Sequence, residues 1–352
     1  VLLTYERQII AWADHASLPA IQPTGVKASL ATIISAANRY APGIEPSAIT
    51  VSTDKSTALA VSLGRGRTVY IDPYSAQILG EGAEGVHRFF SWITQMHRWF
   101  AASDENRDTA RAITGASNLI FLFIVLSGMY LWLPMIYRRT QFRMRLLFTK
   151  NPRSSKARDF NWHHVFGIWM CLPLALIIAS ATVFSYGWSN ALVYKVFGEE
   201  PPQRGGPPGQ ASNRNTDTQS TPTDSMPDFD ALFEVAARQA GDWNTISLRL
   251  PASNAGEVSF GLDQGDGGQP HKQSTLVLDS HSAAVIRHET FDQQTPGRQA
   301  RIIVRRLHTG EVLGVAGQTL AGIASFAAIM LVWTGLALAW RRLIQPLFNK
   351  RR

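Results

Sequence analysis

The sequence predicts a membrane α-helical bundle of three visible spans, four with a missing N-terminal one, carrying two small α+β modules outside the membrane. Three observations predict this class. First, Ala112–Pro134, Val165–Trp188 and Val312–Trp340 are uncharged runs, and about 20 apolar residues cross a hydrocarbon core. Second, basic residues gather on one side of those runs, as a topology signal requires. Third, the polar stretches 1–111 and 189–311 repeat each other's pattern.

In chain order, residues 1–83 form the first module. Helical periodicity over Gly25–Tyr40 precedes the strand-like runs AITVST, ALAVSL and TVYID. Residues 84–111 make an aromatic interfacial helix and loop, followed by a span at 112–134 with Tyr130 and Trp132 as anchors. The loop 135–160 holds Arg138, Arg139, Arg143, Arg145, Lys150, Arg153, Lys156 and Arg158 against Asp159, so it faces the cytoplasm. A second span occupies 161–188, with Pro173 as a kink. Residues 199–226 are rich in Pro, Gly and Ser and form a disordered linker. The second module, 227–300, repeats helix (Phe229–Gly241) then strands (TISLRL, EVSFGL, STLVLD). Both third strands run into a matching Asp-x-x-Ser turn, at Asp72 and Asp279. The last span, 312–340, leads to a basic cytoplasmic tail, 341–352. The opening Val-Leu-Leu-Thr-Tyr-Glu reads as the end of something apolar, and predicts a signal or a further span before Val1.

Composition narrows the chemistry. One cysteine, Cys171, excludes a disulfide scaffold and a four-cysteine metal site, leaving nine histidines and the carboxylates as ligands. The net charge of +8 first suggests nucleic acid, but its placement beside the spans makes it a topology signal, and no nucleic-acid partner is expected. Gly64-Arg-Gly-Arg is no dinucleotide fingerprint, and P-loop, H-E-x-x-H and nucleophile-elbow motifs are missing from the sequence. Electrons for any redox chemistry must come from a cytoplasmic protein or a membrane quinol.

Histidines at membrane edges are functional candidates. His97 and His308 stand before the first and third spans in matching repeat positions, at the outer face. His163 and His164 open the second span at the inner face, and their directions differ by about 100°, so one of the two turns inward. Imidazole is a common ligand of haem iron. His97 with His308 would close an outer six-coordinate haem, and repeat symmetry puts the inner histidine's partner on the missing span. Arg98, Arg305 and Arg306 flank the outer pair as partners for haem propionates. His15, His271, His281 and His288 read as surface residues, and His87, in an aromatic stretch, is the best of the remainder.

These motifs carry a resemblance. VYIDPYSAQIL and LVLDSHSAAVI, MHRWF before a span ending SGMYLWLP, WHHVFGIW, and LHTGEVLG together resemble the PepSY-associated transmembrane proteins over almost the whole chain. Within that family the chain is similar to the inner-membrane ferric-siderophore reductases. The resemblance implies four spans, two periplasmic PepSY modules and two haem b groups. It favours His163 over His164, because the family's inner histidine stands four residues before a glycine, here Gly167. It implies a ferric siderophore of hydroxamate type, such as ferrioxamine, as substrate, with membrane lipid and an electron donor as further partners. The substrate is expected over the outer haem, between the two modules and the helix around His87 to Phe100. Phe90, Trp92, Trp99 and Phe100 would line it on one side and Arg305 and Arg306 on the other. Two other classes stand beside this reading. One is a PepSY-based sensor or peptidase regulator without redox chemistry, which has no use for matched histidines. The other is a siderophore or iron permease, which would want ionisable groups at the bilayer midplane.

Overall fold

A computed structural model describes residues 1–64, 66–132, 143, 145–202, 227–251 and 256–349. The expected linker 199–226 lies mostly outside these residues, and Arg138 and Arg139 of the expected loop 135–160 lie outside them too. The chain divides into two compact units: Arg7–Phe89 with Glu200–Gln299, and Val1–Glu6 with Phe90–Glu199 and Ala300–Arg352.

The first of these is a sheet unit. It contains α1 (Glu6–Ser17), α2 (Leu30–Tyr40), β1 (Pro46–Ser52), β2 (Leu59–Leu63), β3 (Arg67–Ile71) and β4 (Ile78–Gly80). The second stretch adds α7 (Phe229–Ala240), β5 (Thr245–Arg249), β6 (Glu257–Asp263), β7 (Gln273–Asp279) and β8 (Val285–Thr290), with further helices lying between. Ser29 starts α2 by accepting from the Thr32 amide, which places the helix start five residues inside the expected one.

The expected turns form. Asp72 Oδ1 accepts from the Tyr74 and Ser75 amides, and Asp279 Oδ1 from those of His281 and Ser282. Each chain then passes through a left-handed alanine, Ala76 or Ala283.

One feature has no local signature in the sequence. The two strand sets do not form separate sheets: β1 pairs antiparallel with β5, giving one sheet in the order β4-β3-β2-β1-β5-β6-β7-β8. The strands alternate buried and open positions, and Ile49, Val61, Ile246, Leu248, Val258 and Phe260 are fully buried. They share one core with Ile33 and Ala37 of α2 and Leu232 and Ala236 of α7. Burying each large side chain is worth roughly 1.5–3 kcal/mol. Asp230 of α7 accepts from the Leu30 amide at the start of α2, which ties the two halves at their helices as well. Such a sheet requires both stretches on one side of a membrane.

The other unit holds three helices long and apolar enough to cross a membrane. They are α4 (Arg107–Trp132), α5 (Ser155–Ser185) and α9 (Gly314–Ala339). At 26 residues, α4 is about 39 Å long. Two of them, α4 and α5, lie between the sheet's halves, so the number of crossings is even. The second helix differs from the expected 161–188 at both ends. Ser154 caps it, and it stops at Ser185, because Tyr186 is extended; Trp188 belongs to a separate short helix, α6 (Gly187–Lys195). Pro173 lies inside α5. The last span gives way to a five-residue π turn at Trp340–Ile344 and then α10 (Gln345–Asn349).

Packing follows membrane rules. Small residues of α9, Ala324 among them, let it approach Leu174 and Ile178 of α5. The Asn118 amide donates to the Ile178 carbonyl, joining α4 to α5. At the other end buried Asp159 receives Arg341 at 2.7 Å and Arg158 at 2.9 Å, tying α5 to the π turn.

Candidate haem-ligand sites

Two helices end on the outer histidines. α3 (Glu84–Trp99) carries His97 in its last turn, and α8 (Pro296–Thr309) carries His308 in its last turn. The two rings face each other with centroids 6.1 Å apart and planes inclined by 35°. Two metal–nitrogen bonds of about 2.0 Å and two ring half-widths of about 1.1 Å sum to about 6.2 Å. The pair's separation would therefore admit one metal ion between the two rings.

The tautomer of His308 is set by α5. Its Nδ1 lies 3.1 Å from the Ile177 carbonyl oxygen and 3.2 Å from Ser180 Oγ. A carbonyl can only accept, so Nδ1 carries the proton and Nε2 keeps its lone pair. Phe184 stands edge-on against the ring, and Arg301 lies over Phe184 while donating to Asn190. Beyond His308, Gly310 is left-handed, and a side chain there would strike Ala321 and the Gly317 carbonyl.

The flanking arginines have different partners. Arg306 is salt-bridged to buried Glu311 at 2.7 Å, and Thr309 donates to the same carboxylate. Arg306 therefore already has a buried carboxylate partner through Nη1. Arg98 lies over the Trp99 ring, with its guanidinium carbon 4.8 Å from the centroid, and Arg305 is exposed.

The expected substrate-lining aromatics also separate. Trp92 and Phe100 are exposed, and Trp99 is partly covered. Phe90 is 3% exposed. It cannot offer a surface to a siderophore, because two helical steps turn it about 200° away from Trp92.

The inner histidines line a cavity of about 500 Å³ between α4, α5 and α9. That volume falls within the ~300–1,000 Å³ of small-molecule and cofactor sites. Its walls are apolar, with Met129 and Trp132 from α4, Cys171 from α5 and Leu331 from α9, and Arg145 adds a cation. Both His163 and His164 line it, although adjacent positions on a helix diverge. The cavity spans a wide enough arc of α5 to meet both.

Their supports differ. His163 Nδ1 lies 2.9 Å from Thr334 Oγ1, and that hydroxyl spends its proton on the Met330 carbonyl at 2.7 Å. It must accept from the imidazole, which leaves His163 Nε2 unprotonated. Thr334 is fully buried. Gly335 makes the room, since a Cβ there would stand 3.4 Å from His163 Cε1. His164 instead bonds the Phe160 carbonyl of its own helix at 2.9 Å.

No group of three or more His, Cys, Asp or Glu able to hold a metal occurs among the described residues. Imidazole nitrogens such as those of the facing His97 and His308 are donors that haem iron takes. The donor set and the apolar inner cavity therefore fit haem.

His87 has another occupation. Its Nε2 lies 2.9 Å from both oxygens of Asp14, and Asp14, 5% exposed, also accepts from the Tyr70 hydroxyl at 2.6 Å and the Ala83 amide at 2.8 Å. The cluster anchors the first turn of α3 to α1 and β3. A side chain at Gly82 would collide with Asp14. Asp14 and Tyr70 escape the sequence because neither lies in a motif. His288 meets Ser274 at 3.1 Å, and His15, His271 and His281 are exposed.

Compared with known families, residues 1–349 match the model described as the PepSY-associated TM region. No curated protein matches the chain. The match covers nearly every residue, and with three helices fit to cross a membrane it makes this a membrane protein: the chain belongs to the PepSY-associated TM region family.

Proposed function

We propose that the chain is a haem-carrying electron-transfer protein of the bacterial inner membrane that reduces a ferric siderophore on the periplasmic side. The observation that carries this reading is the facing pair His97 and His308, with the His308 tautomer set for ligation. His163, supported by Thr334, would hold a second haem in the inner cavity. Haem iron supplies one-electron chemistry that no side chain here provides.

The remaining work falls to the chain. Ile177 and Ser180 keep His308 Nε2 free of a proton, and Thr334 does the same for His163. One helix, α5, serves both sites: His163 and Ile177 are 14 residues apart, or about 21 Å along its axis. With groups held at both His163 and His308, α5 would place two redox sites along one membrane crossing, which a single site at one face cannot do. The mostly apolar walls make the inner site an environment of low polarity. At the outer face one electron converts Fe(III) to Fe(II), while the chelator's oxygens, which hold the softer ion weakly, take up protons and let it go.

The test is spectroscopic. The purified chain should show a Soret band and, after dithionite, a sharp b-type α band. Anaerobic addition of ferrioxamine should reverse the reduction and yield Fe(II) trapped by a ferrous chelator. A chain lacking a Soret band after expression with ample haem would refute the reading. Full haem content with no acceleration by ferric chelates would leave the electron transport and remove the substrate.

A further inference from the structure

The geometry points to an oxyanion-binding site at the elbow between α3 and α4, centred on Trp99. Three guanidiniums converge on that one indole. Arg98, Arg107 and Arg111 place their central carbons 4.8, 5.2 and 5.2 Å from its ring centroid. Arg305 adds a fourth charge within electrostatic reach of Arg98. Local carboxylates answer only part of this charge. Asp104 pairs with Arg107, and Asp108 reaches Arg111 only at 3.6 Å with its own side chain 96% exposed. Asp104, Glu105 and Asp108 against four arginines still leave a net positive charge at one elbow.

A second, independent observation concerns donors. Trp99 Nε1 and Arg107 Nε are both buried and both lack an acceptor. Buried N–H groups are almost always paired, and leaving one unpaired costs about 1–3 kcal/mol. Two such donors beside clustered guanidiniums match a phosphate or carboxylate group, which offers only acceptors and takes forked Arg contacts. The backbone is bent to make the elbow: Phe100 and Ala101 both take left-handed φ, 54° and 50°, and neither is glycine. That conformation returns the chain so that α4 begins at Arg107 beside the end of α3.

Two sources could deliver the group: the phosphodiester of an anionic lipid, or the carboxylates of a haem bound at the neighbouring His97. The lipid source is independent of the haem reading, and only the carboxylate source rests on it. The experiment has two arms, run on the full chain in neutral detergent, with Arg107→Gln/Arg111→Gln compared to the unaltered protein. The first arm titrates phosphatidylglycerol and phosphatidylcholine by native mass spectrometry. The second titrates haem and haem dimethyl ester by the Soret band.

A site for lipid phosphate predicts a preference for phosphatidylglycerol that falls about tenfold in the double variant. A site for cofactor carboxylates predicts that the unaltered protein favours haem over its ester by about tenfold, and that the variant loses this preference. Trp99→Phe, which keeps the ring and removes the N–H, should lose a smaller part of the same preference, and Arg107→Lys/Arg111→Lys should restore some of it. These two variants separate a lost site from a lost fold. If the double variant keeps both the lipid preference and the haem-over-ester preference unchanged, or neither preference exists, the proposal is overturned. A chain that binds no haem leaves the lipid arm to decide.

Discussion

Replacing Thr334 by valine removes one hydroxyl and little volume, so it isolates the hydrogen bond that supports His163. In the native protein that hydroxyl accepts from His163 Nδ1 at 2.9 Å while donating to Met330 at 2.7 Å, in a fully buried position. Valine removes that acceptor and leaves the imidazole only the Leu331 carbonyl, at a cost of up to about 1–3 kcal/mol. Loss of such support behind a ligating histidine lowers metal affinity by about 10- to 100-fold, an energy of about 1.4–2.8 kcal/mol. The two ranges agree. The assay is a Soret titration of the inner site, with the reduction potential followed in the same sample. Thr334→Ser keeps the hydroxyl and should stay close to the native affinity. His164→Ala should be mild beside His163→Ala. Should Thr334→Val bind haem with native affinity and potential while His164→Ala abolishes binding, the ligand is His164 and the argument from Thr334 fails.

Further outcomes follow from the same geometry. His97→Ala and His308→Ala should each remove or shift one of two haem signals in the absorption spectrum and spare the other; two variants with native spectra would break the pairing. Asp159→Asn leaves Arg341 without its buried carboxylate and should cost about 3–5 kcal/mol, read as a lower midpoint in thermal unfolding. Arg158→Gln, on a side chain 43% exposed, should cost about 1 kcal/mol or less in the same assay. Tyr70 gives a pH dependence, because burial and its bond to Asp14 push its phenol above the ordinary value. The neutral phenol is the form the fold favours, so this contribution is intact below the unfolded phenol's value near 10 and fades as pH rises beyond it. Tyr70→Phe should lower the full chain's stability at neutral pH and flatten its alkaline decline above about pH 10, measured by thermal unfolding.

The features legible in the sequence are those with local causes. Uncharged runs announce the spans, and Asp72 and Asp279 announce turns that their own side chains build. His97 and His308 stand out because the repeat places them alike, and the structure brings their rings together. The illegible parts depend on distant partners. Arg306 flanks His308, and only the fold shows that Glu311 holds it. Phe90 reads as one more exposed aromatic until the helix turns it inward. A two-residue motif cannot say that one cavity meets both His163 and His164, nor which has a buried hydroxyl behind it. The closing of two strand sets into one sheet depends on β1 and β5, which carry no mark of each other.

That shared sheet sets a timetable for biogenesis. Thr50 and Ser247, whose hydroxyls meet at 3.1 Å across the central strand pair, are 197 residues apart. At a synthesis rate of about 5–20 residues per second, the free edge of β1 waits about 10–40 s for its mate. During that interval its amides and carbonyls are open to any extended chain nearby. Two transmembrane helices must also be inserted before the mate arrives. A ribosome stalled between the two stretches would therefore leave a half-sheet prone to pair with a second copy of itself. A truncated product ending at residue 111 should be recovered as strand-swapped oligomers or aggregates.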